Sequence, residues 1–295
     1  MWVYGITTFL SAVLLFKVQM LLGKFILPWH GGVAAVWTTC MLFFQSALLC
    51  GYAYAHWLAA RPRLTLQRNV HIGLVTVSLA TLTALAIAWQ WPLLPDNSWQ
   101  PHGETSPIAH ILLLLGVAVG VQFLTLSATA PLLQRWFSLT HRGESPYRLY
   151  ALSNVGSLVG LLSYPFVVEV LVPLKLQAAL WTVGYAVFAA GMIGAAILAA
   201  HKVSVTGQGL ERMATPKASE APPTPTRVLL WFALAGCASS VLLAVTNQLS
   251  QEIAVVPFLW ALPLALYLLS FVLCFGGAGW YARNFYLTLL DRKST

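Results

Sequence analysis

An all-α bundle of membrane-spanning helices is the fold class this sequence predicts, and three observations carry the prediction. Hydrophobic residues make up 59% of the 295 and charged residues only 8%, whereas a soluble domain carries about a quarter charged. Apolar runs of about 20 residues, the length that crosses the hydrocarbon core as a helix, recur along the chain. Lys and Arg gather at alternate breaks between those runs, the pattern of a multi-pass membrane protein.

Eight segments meet the length criterion: approximately 3–27, 33–57, 70–91, 108–134, 147–172, 176–200, 228–248 and 253–275. The first opens with "MWVYGITTFL", which has neither a basic leader nor a small-residue cleavage site. It reads as a retained helix rather than a signal peptide. "PWHGG" follows: Pro28 ends the span, Trp29 and His30 suit the interface, and Gly31-Gly32 reverse the chain. A glycine-rich turn before a helix can also cradle phosphate, but the charge count puts this one on the outer side, away from cytoplasmic nucleotides. "RPRLTLQR", "PLLPDNSWQPHGETSP", "HRGESP" and "VPLK" separate the next five segments. Pro131 weakens the ladder of the fourth. Ser145 caps the fifth, and Pro146 suits its first turn. Pro257 and Pro263 bend the eighth.

The stretch 201–227, with "TPKASEAPPTPT", is rich in Pro, Thr and charge and lacks a hydrophobic face. It reads as a flexible cytoplasmic linker. The expected organisation is a six-helix bundle over 1–200, the linker 201–227, a two-helix hairpin over 228–275 and a cytoplasmic tail 276–295. Six helices followed by two are MFS-like by analogy.

With the N-terminus inside, the inner loops hold Arg61, Arg63, Arg68; Arg135, Arg142, Arg148; Lys202, Arg212, Lys217, Arg227; and Arg283, Arg292, Lys293. Outer loops hold only Lys24 and Lys175, and Lys17 lies within the first helix. That asymmetry predicts both termini in the cytoplasm. It also assigns the net charge of +8 to topology, so no nucleic-acid partner is expected and the lipid bilayer is the first partner.

Charged groups inside spans are costly, and each is a candidate site. Lys17 and Glu169 both fall in the outer half, about 10 Å apart in depth at 1.5 Å per residue. They can pair if their helices adjoin, or Lys17 can snorkel to the interface. "TNQLSQEIAVVPFLW" places Asn247, Gln248, Gln251 and Glu252 at the outer turn between the last two helices. This is either a solvated hairpin or, with Glu169, a polar mouth for a cationic solute. Asn154, Gln45 and Gln122 either add polar contacts within the bundle or join helices by hydrogen bonds.

Gly116 and Gly120 form one GxxxG, and Gly156 and Gly160 another. Small residues four apart let backbones approach, and the matched depth of Gly120 and Gly160 suggests that the fourth and fifth helices pack there. Glycine is also simply common in membrane helices.

Cys40, Cys50, Cys237 and Cys274 all lie in apolar runs without CxxC spacing and read as packing residues. His56 and His71 flank the Arg-rich loop, while His110 is at the opposite face. They read as interfacial histidines rather than a haem pair. There is no GxSxG, HExxH or Walker sequence and no strand–GxGxx–helix pattern, so no catalytic residue, metal or cofactor is expected.

Four ordered blocks carry a family resemblance: "FLSAVLLFKVQMLLGKFILPWHGGVAAVWTTCMLFFQSALLCGYAYAH", "LSATAPLLQRWF", "SPYRLYALSNVGSLVGLLSYPFVVE" and "TNQLSQEIAVVPFLWALPLALYLLSFVLCF". Over about residues 9–286 the chain resembles the membrane part of the bacterial fused MFS/spermidine synthase proteins. That resemblance implies the bacterial inner membrane, a cytoplasmic synthase-like domain as partner and a polyamine-like cation as solute. Full-length members of that family resemble aminopropyltransferases. The synthase portion has no counterpart here, so no catalytic residue carries over, and the chain reads as a truncated or short member. "HWLAARPRLTLQR" keeps the basic charge of the MFS loop between helices two and three but lacks its Asp and glycines. Three functions follow: a module that recognises or moves a polyamine-like cation, a non-transporting anchor for a soluble enzyme, or a fragment of a membrane-bound aminopropyltransferase.

Overall fold

A computed structural model describes residues 1–30, 34–101, 106–141, 146–206, 223–252 and 257–275. Eight long helices run in order: α1 Trp2–Ile26, α2 Ala34–Ala59, α3 Leu64–Ala88, α4 Pro107–Thr140, α5 Tyr147–Ser163, α6 Leu174–Thr206, α7 Pro225–Glu252 and α8 Pro257–Phe275. There is no strand among the described residues. Helices are the expected solution, because a segment in hydrocarbon must satisfy its backbone polar groups internally. Among the described residues seven spans are long and apolar enough to cross a membrane, the fifth of them running from Tyr147 through the turn after α5 to Leu171. The chain is therefore an all-α polytopic membrane bundle. α8 has 19 residues, about 28 Å at the helical rise, and Pro263 interrupts its ladder.

Three helices outrun the hydropathy boundaries by six residues at one end. α3 begins at Leu64, not near residue 70, and Pro131 bends nothing to a stop because α4 continues to Thr140. α6 extends to Thr206. Pro165 explains the wide turn after α5: lacking an N–H, it opens the ladder into a π-helical turn over Tyr164–Val168, and Glu169 N–H bonds to the Tyr164 carbonyl. A last turn, Glu169–Leu171, follows.

α1 is the central strut, packed on α4, α5 and α6. Small residues set its spacing. A Cβ at Gly156 would sit 2.6 Å from the Phe9 carbonyl oxygen, and one at Gly160 would sit 3.0 Å from that of Val13. Both glycines of the α5 pair thus face α1. Around Gly120 there is open space, and the nearest atom to Gly116 is on Phe43 of α2 at 4.0 Å. The suggested Gly120–Gly160 crossing is not formed: depth alone did not reveal which faces the glycines occupy.

Buried polar groups tie the remaining helices together. The Trp181 indole N–H donates to the Leu14 carbonyl at 2.8 Å, joining α6 to α1. Tyr185 Oη donates to Ser78 Oγ at 2.7 Å, joining α6 to α3. Gln122 Nε2 donates to the Ser78 carbonyl and to Thr81 Oγ1, each at 3.0 Å, joining α4 to α3. For Gln122, then, the interhelical hydrogen bond is the realised alternative.

The two ends of the bundle differ in charge. Lys202 Nζ meets His141 Nε2 at 3.3 Å, and Tyr4 packs edge-on to Phe137 and His141. The start of α1 and the ends of α4 and α6 therefore lie together. Trp136 reaches Gln67 beside the Arg61–Arg63 loop, which adds the α2–α3 turn to this arginine-bearing end. The opposite end holds Lys24, Glu169 and Lys175, whose Nζ lies 4.9 Å from the centroid of the Trp91 ring.

Candidate functional site

A cavity of about 710 Å³ opens between α1, α2, α4, α5 and α8, with Ser239 of α7 at its edge. Its walls are helical stripes at i, i+3, i+4 and i+7 spacing. α1 contributes Ser11, Leu15 and Gln19; α4 contributes Phe123, Ser127 and Gln134; α5 contributes Tyr150, Ser153, Asn154 and Ser157. Gln45 and Tyr52 of α2 and Tyr267 and Phe271 of α8 complete the polar and aromatic lining. α3 and α6 stand behind this wall.

No Asp, Glu, Lys, Arg or His lines the cavity among the described residues. Its chemistry is that of hydroxyls, amides and ring faces. Several of those groups are held by their own helices: Asn154 Nδ2 donates to the Tyr150 carbonyl at 2.9 Å, Ser157 Oγ to that of Ser153 at 3.0 Å and Ser127 Oγ to that of Leu124 at 3.0 Å. The Asn154 side-chain oxygen remains an acceptor after that bond. Pro131 also lines the wall. Having no N–H, it leaves the Ser127 carbonyl without its helical donor, adding a backbone acceptor at the same level. Tyr150 and Phe271 meet edge-on with centroids 5.9 Å apart, and Tyr267 and Phe271 likewise at 4.9 Å. α5 and α8 are therefore joined by an aromatic seam along the cavity.

The charged candidates lie elsewhere. Glu169 Oε1 pairs with Lys24 Nζ at 3.0 Å, and both side chains are 41% exposed. This replaces the Lys17–Glu169 pair. Lys24 lies seven residues beyond Lys17 on α1, which is about 10 Å further along the axis and closes the depth gap to Glu169. Lys17 is half-buried and lines no part of the cavity. Gln248 is exposed near the end of α7, and the side chains of Asn247, Gln251 and Glu252 lie outside the described residues.

The Lys24–Glu169 pair is well exposed, so screening limits its value to about 0–1 kcal/mol. Glu169→Gln is expected to leave thermal stability in detergent nearly unchanged at moderate salt. A loss of several degrees would mean that the carboxylate has a larger structural role.

His71 is not interfacial. It is fully buried, with Tyr54 Oη at 3.2 Å from Nδ1 and the Trp136 ring edge-on to it. His56 is exposed. His30 and His110 face one another at the opposite end, with ring centroids 5.4 Å apart. No group of three or more His, Cys, Asp or Glu is gathered as a metal site among the described residues.

Sequence reasoning singled out Asn154 and Gln45 but missed Ser11, Gln19, Ser127, Gln134 and the tyrosines. The signal was uncharged polar residues at helical spacing within apolar runs, as in the "YALSNVGS" of α5. Hydropathy averages erase it. Comparison with protein-family models, curated proteins and solved structures found no match to this chain.

Proposed function

We propose that this integral membrane module binds a small organic solute in the cavity between α1, α2, α4, α5 and α8. The lining carries the reading: neutral hydrogen-bonding groups and aromatic faces from several helices converge on about 710 Å³. Small-molecule pockets span about 300–1,000 Å³ and combine apolar walls with a few converging polar groups. A multiply charged solute in such a site would be desolvated without a countercharge, at a large cost. The solute is therefore neutral, or presents a single organic ammonium to ring faces such as Tyr150 and Tyr267.

The resemblance to fused MFS/spermidine synthase proteins supports an amine as that solute and a cytoplasmic synthase-like domain as partner. The Lys and Arg distribution supports a bacterial inner membrane location with the arginine-bearing end inside. A polyamine-like cation would then enter by one ammonium only, held by Asn154, Gln45 and the tyrosines with its other charges left outside the cavity, and would not depend on Glu169, whose charge Lys24 already balances.

The test is binding of a labelled primary monoamine, of spermidine, which carries several charges, and of an uncharged diol of matching length to the purified protein, followed by uptake into proteoliposomes. The monoamine or the diol is expected to be held more tightly than spermidine. Asn154→Leu removes an acceptor and fills space, and it is expected to weaken binding of whichever probe is held by at least tenfold. Glu169→Gln leaves binding within twofold. Binding lost in Glu169→Gln but kept in Asn154→Leu would overturn the cavity reading. Uptake separates a carrier from a non-transporting anchor.

A further inference from the structure

His30 ends the 3₁₀ turn Leu27–His30 that extends α1, and His110 sits in the first turn of α4. Their rings approach to 5.4 Å between centroids, with planes inclined at 38°. Nδ1 and Nε2 of His30 and Nδ1 of His110 are closed off from solvent, and apart from a loose approach of the His30 ring to the Ile26 carbonyl they meet no hydrogen-bond partner. Had the two rings been bonded to each other, at least one of these nitrogens would have been satisfied. Buried polar groups are almost always partnered, and a group that is not calls for a missing water or ion.

We propose that His30 and His110 together bind a divalent transition-metal ion of the class that prefers imidazole, such as Zn²⁺, Ni²⁺ or Cu²⁺. Imidazole nitrogen binds zinc at about 2.0–2.1 Å, which puts the centroids of two rings sharing one tetrahedral ion roughly 5 Å apart. The observed separation matches. A neutral imidazole offers a lone pair on one nitrogen and a proton on the other, so each ring can ligate without any acidic neighbour. Water carried in with the ion would fill the remaining positions, as it fills the one open position of three-ligand zinc sites. Both helices also line the solute cavity, so the ion would staple two of its walls at the end opposite the arginines. The proposal does not depend on the solute reading.

The experiment titrates Co²⁺ alone, then Zn²⁺ in competition, into the full chain in detergent. One Co²⁺ per chain with a visible ligand-field band, displaced by Zn²⁺, is expected. His30→Gln and His110→Gln each weaken binding at least tenfold, while the double variant of the exposed His56 and His201 to Gln leaves it within twofold. Equal binding by wild type and the His30/His110 variants, or no stoichiometric binding at all, overturns the proposal. Should those variants fold poorly, X-ray absorption on the wild-type zinc complex decides. Two imidazole shells at about 2.0 Å support the site, and an oxygen-only shell refutes it.

Discussion

Gly156→Val is expected to unfold well below wild type in a detergent melt, and Gly120→Ala to unfold with it. At Gly156 the added Cβ would lie 2.6 Å from the Phe9 carbonyl oxygen, 3.1 Å from Ala12 Cβ and 3.3 Å from the Phe9 carbonyl carbon. Two of those three atoms are backbone and cannot rotate away, so α1 and α5 must separate along their length. Overpacking of this kind costs about 1–3 kcal/mol, and valine adds two methyl groups to the clash. The separation also loosens Gly160 against Val13 and Phe16, four residues further on. At Gly120 a Cβ meets nothing within 4 Å, so alanine there is expected within about 0.5 kcal/mol of wild type. Equal melting of the two variants would mean that α5 does not cross α1 at Gly156.

That contrast explains what the sequence could and could not reveal. The two motifs share the GxxxG pattern, yet only the Gly156–Gly160 pair faces a neighbouring backbone. Which face a helix turns inward depends on its partners, and in an apolar environment hydropathy does not mark it. Composition and run length were enough for the all-α bundle, because hydrocarbon leaves the backbone no other choice. Lys17 and Glu169 were legible as rare charges, but their pairing was not. Lys24, assigned to a loop, proved to be in the last turn of α1 and at the right depth. The cavity was least legible. Ser153, Asn154 and Ser157 leave α5 apolar enough to belong to a membrane span, and their meaning comes from the facing stripes of α1, α4 and α8.

The start of α3 shows the same principle and carries the second large prediction. "RPRLTLQR" reads as a polar break, yet Leu64, Gln67, His71, Val75, Ser78 and Leu82 form one buried helical face from Leu64 onward. Gln67 is fully buried. Its Oε1 accepts the Trp136 indole N–H at 2.9 Å, and its Nε2 donates to the Arg61 carbonyl at 2.7 Å. One side chain thus closes the α2–α3 turn and fastens it to α4. Gln67→Leu keeps the approximate volume but orphans a donor on α4 and an acceptor in the turn. Each costs about 1–3 kcal/mol when buried without water, so this variant should be among the least stable single substitutions in the bundle. Trp136→Phe removes the indole donor and, made in the Gln67→Leu background, has no hydrogen bond left to lose. The double variant is therefore expected to be more stable than the sum of the two single losses predicts, by about 0.5–3 kcal/mol of coupling. Strict additivity would show that the two residues act independently, and the α2–α3 turn would then need another fastening to α4.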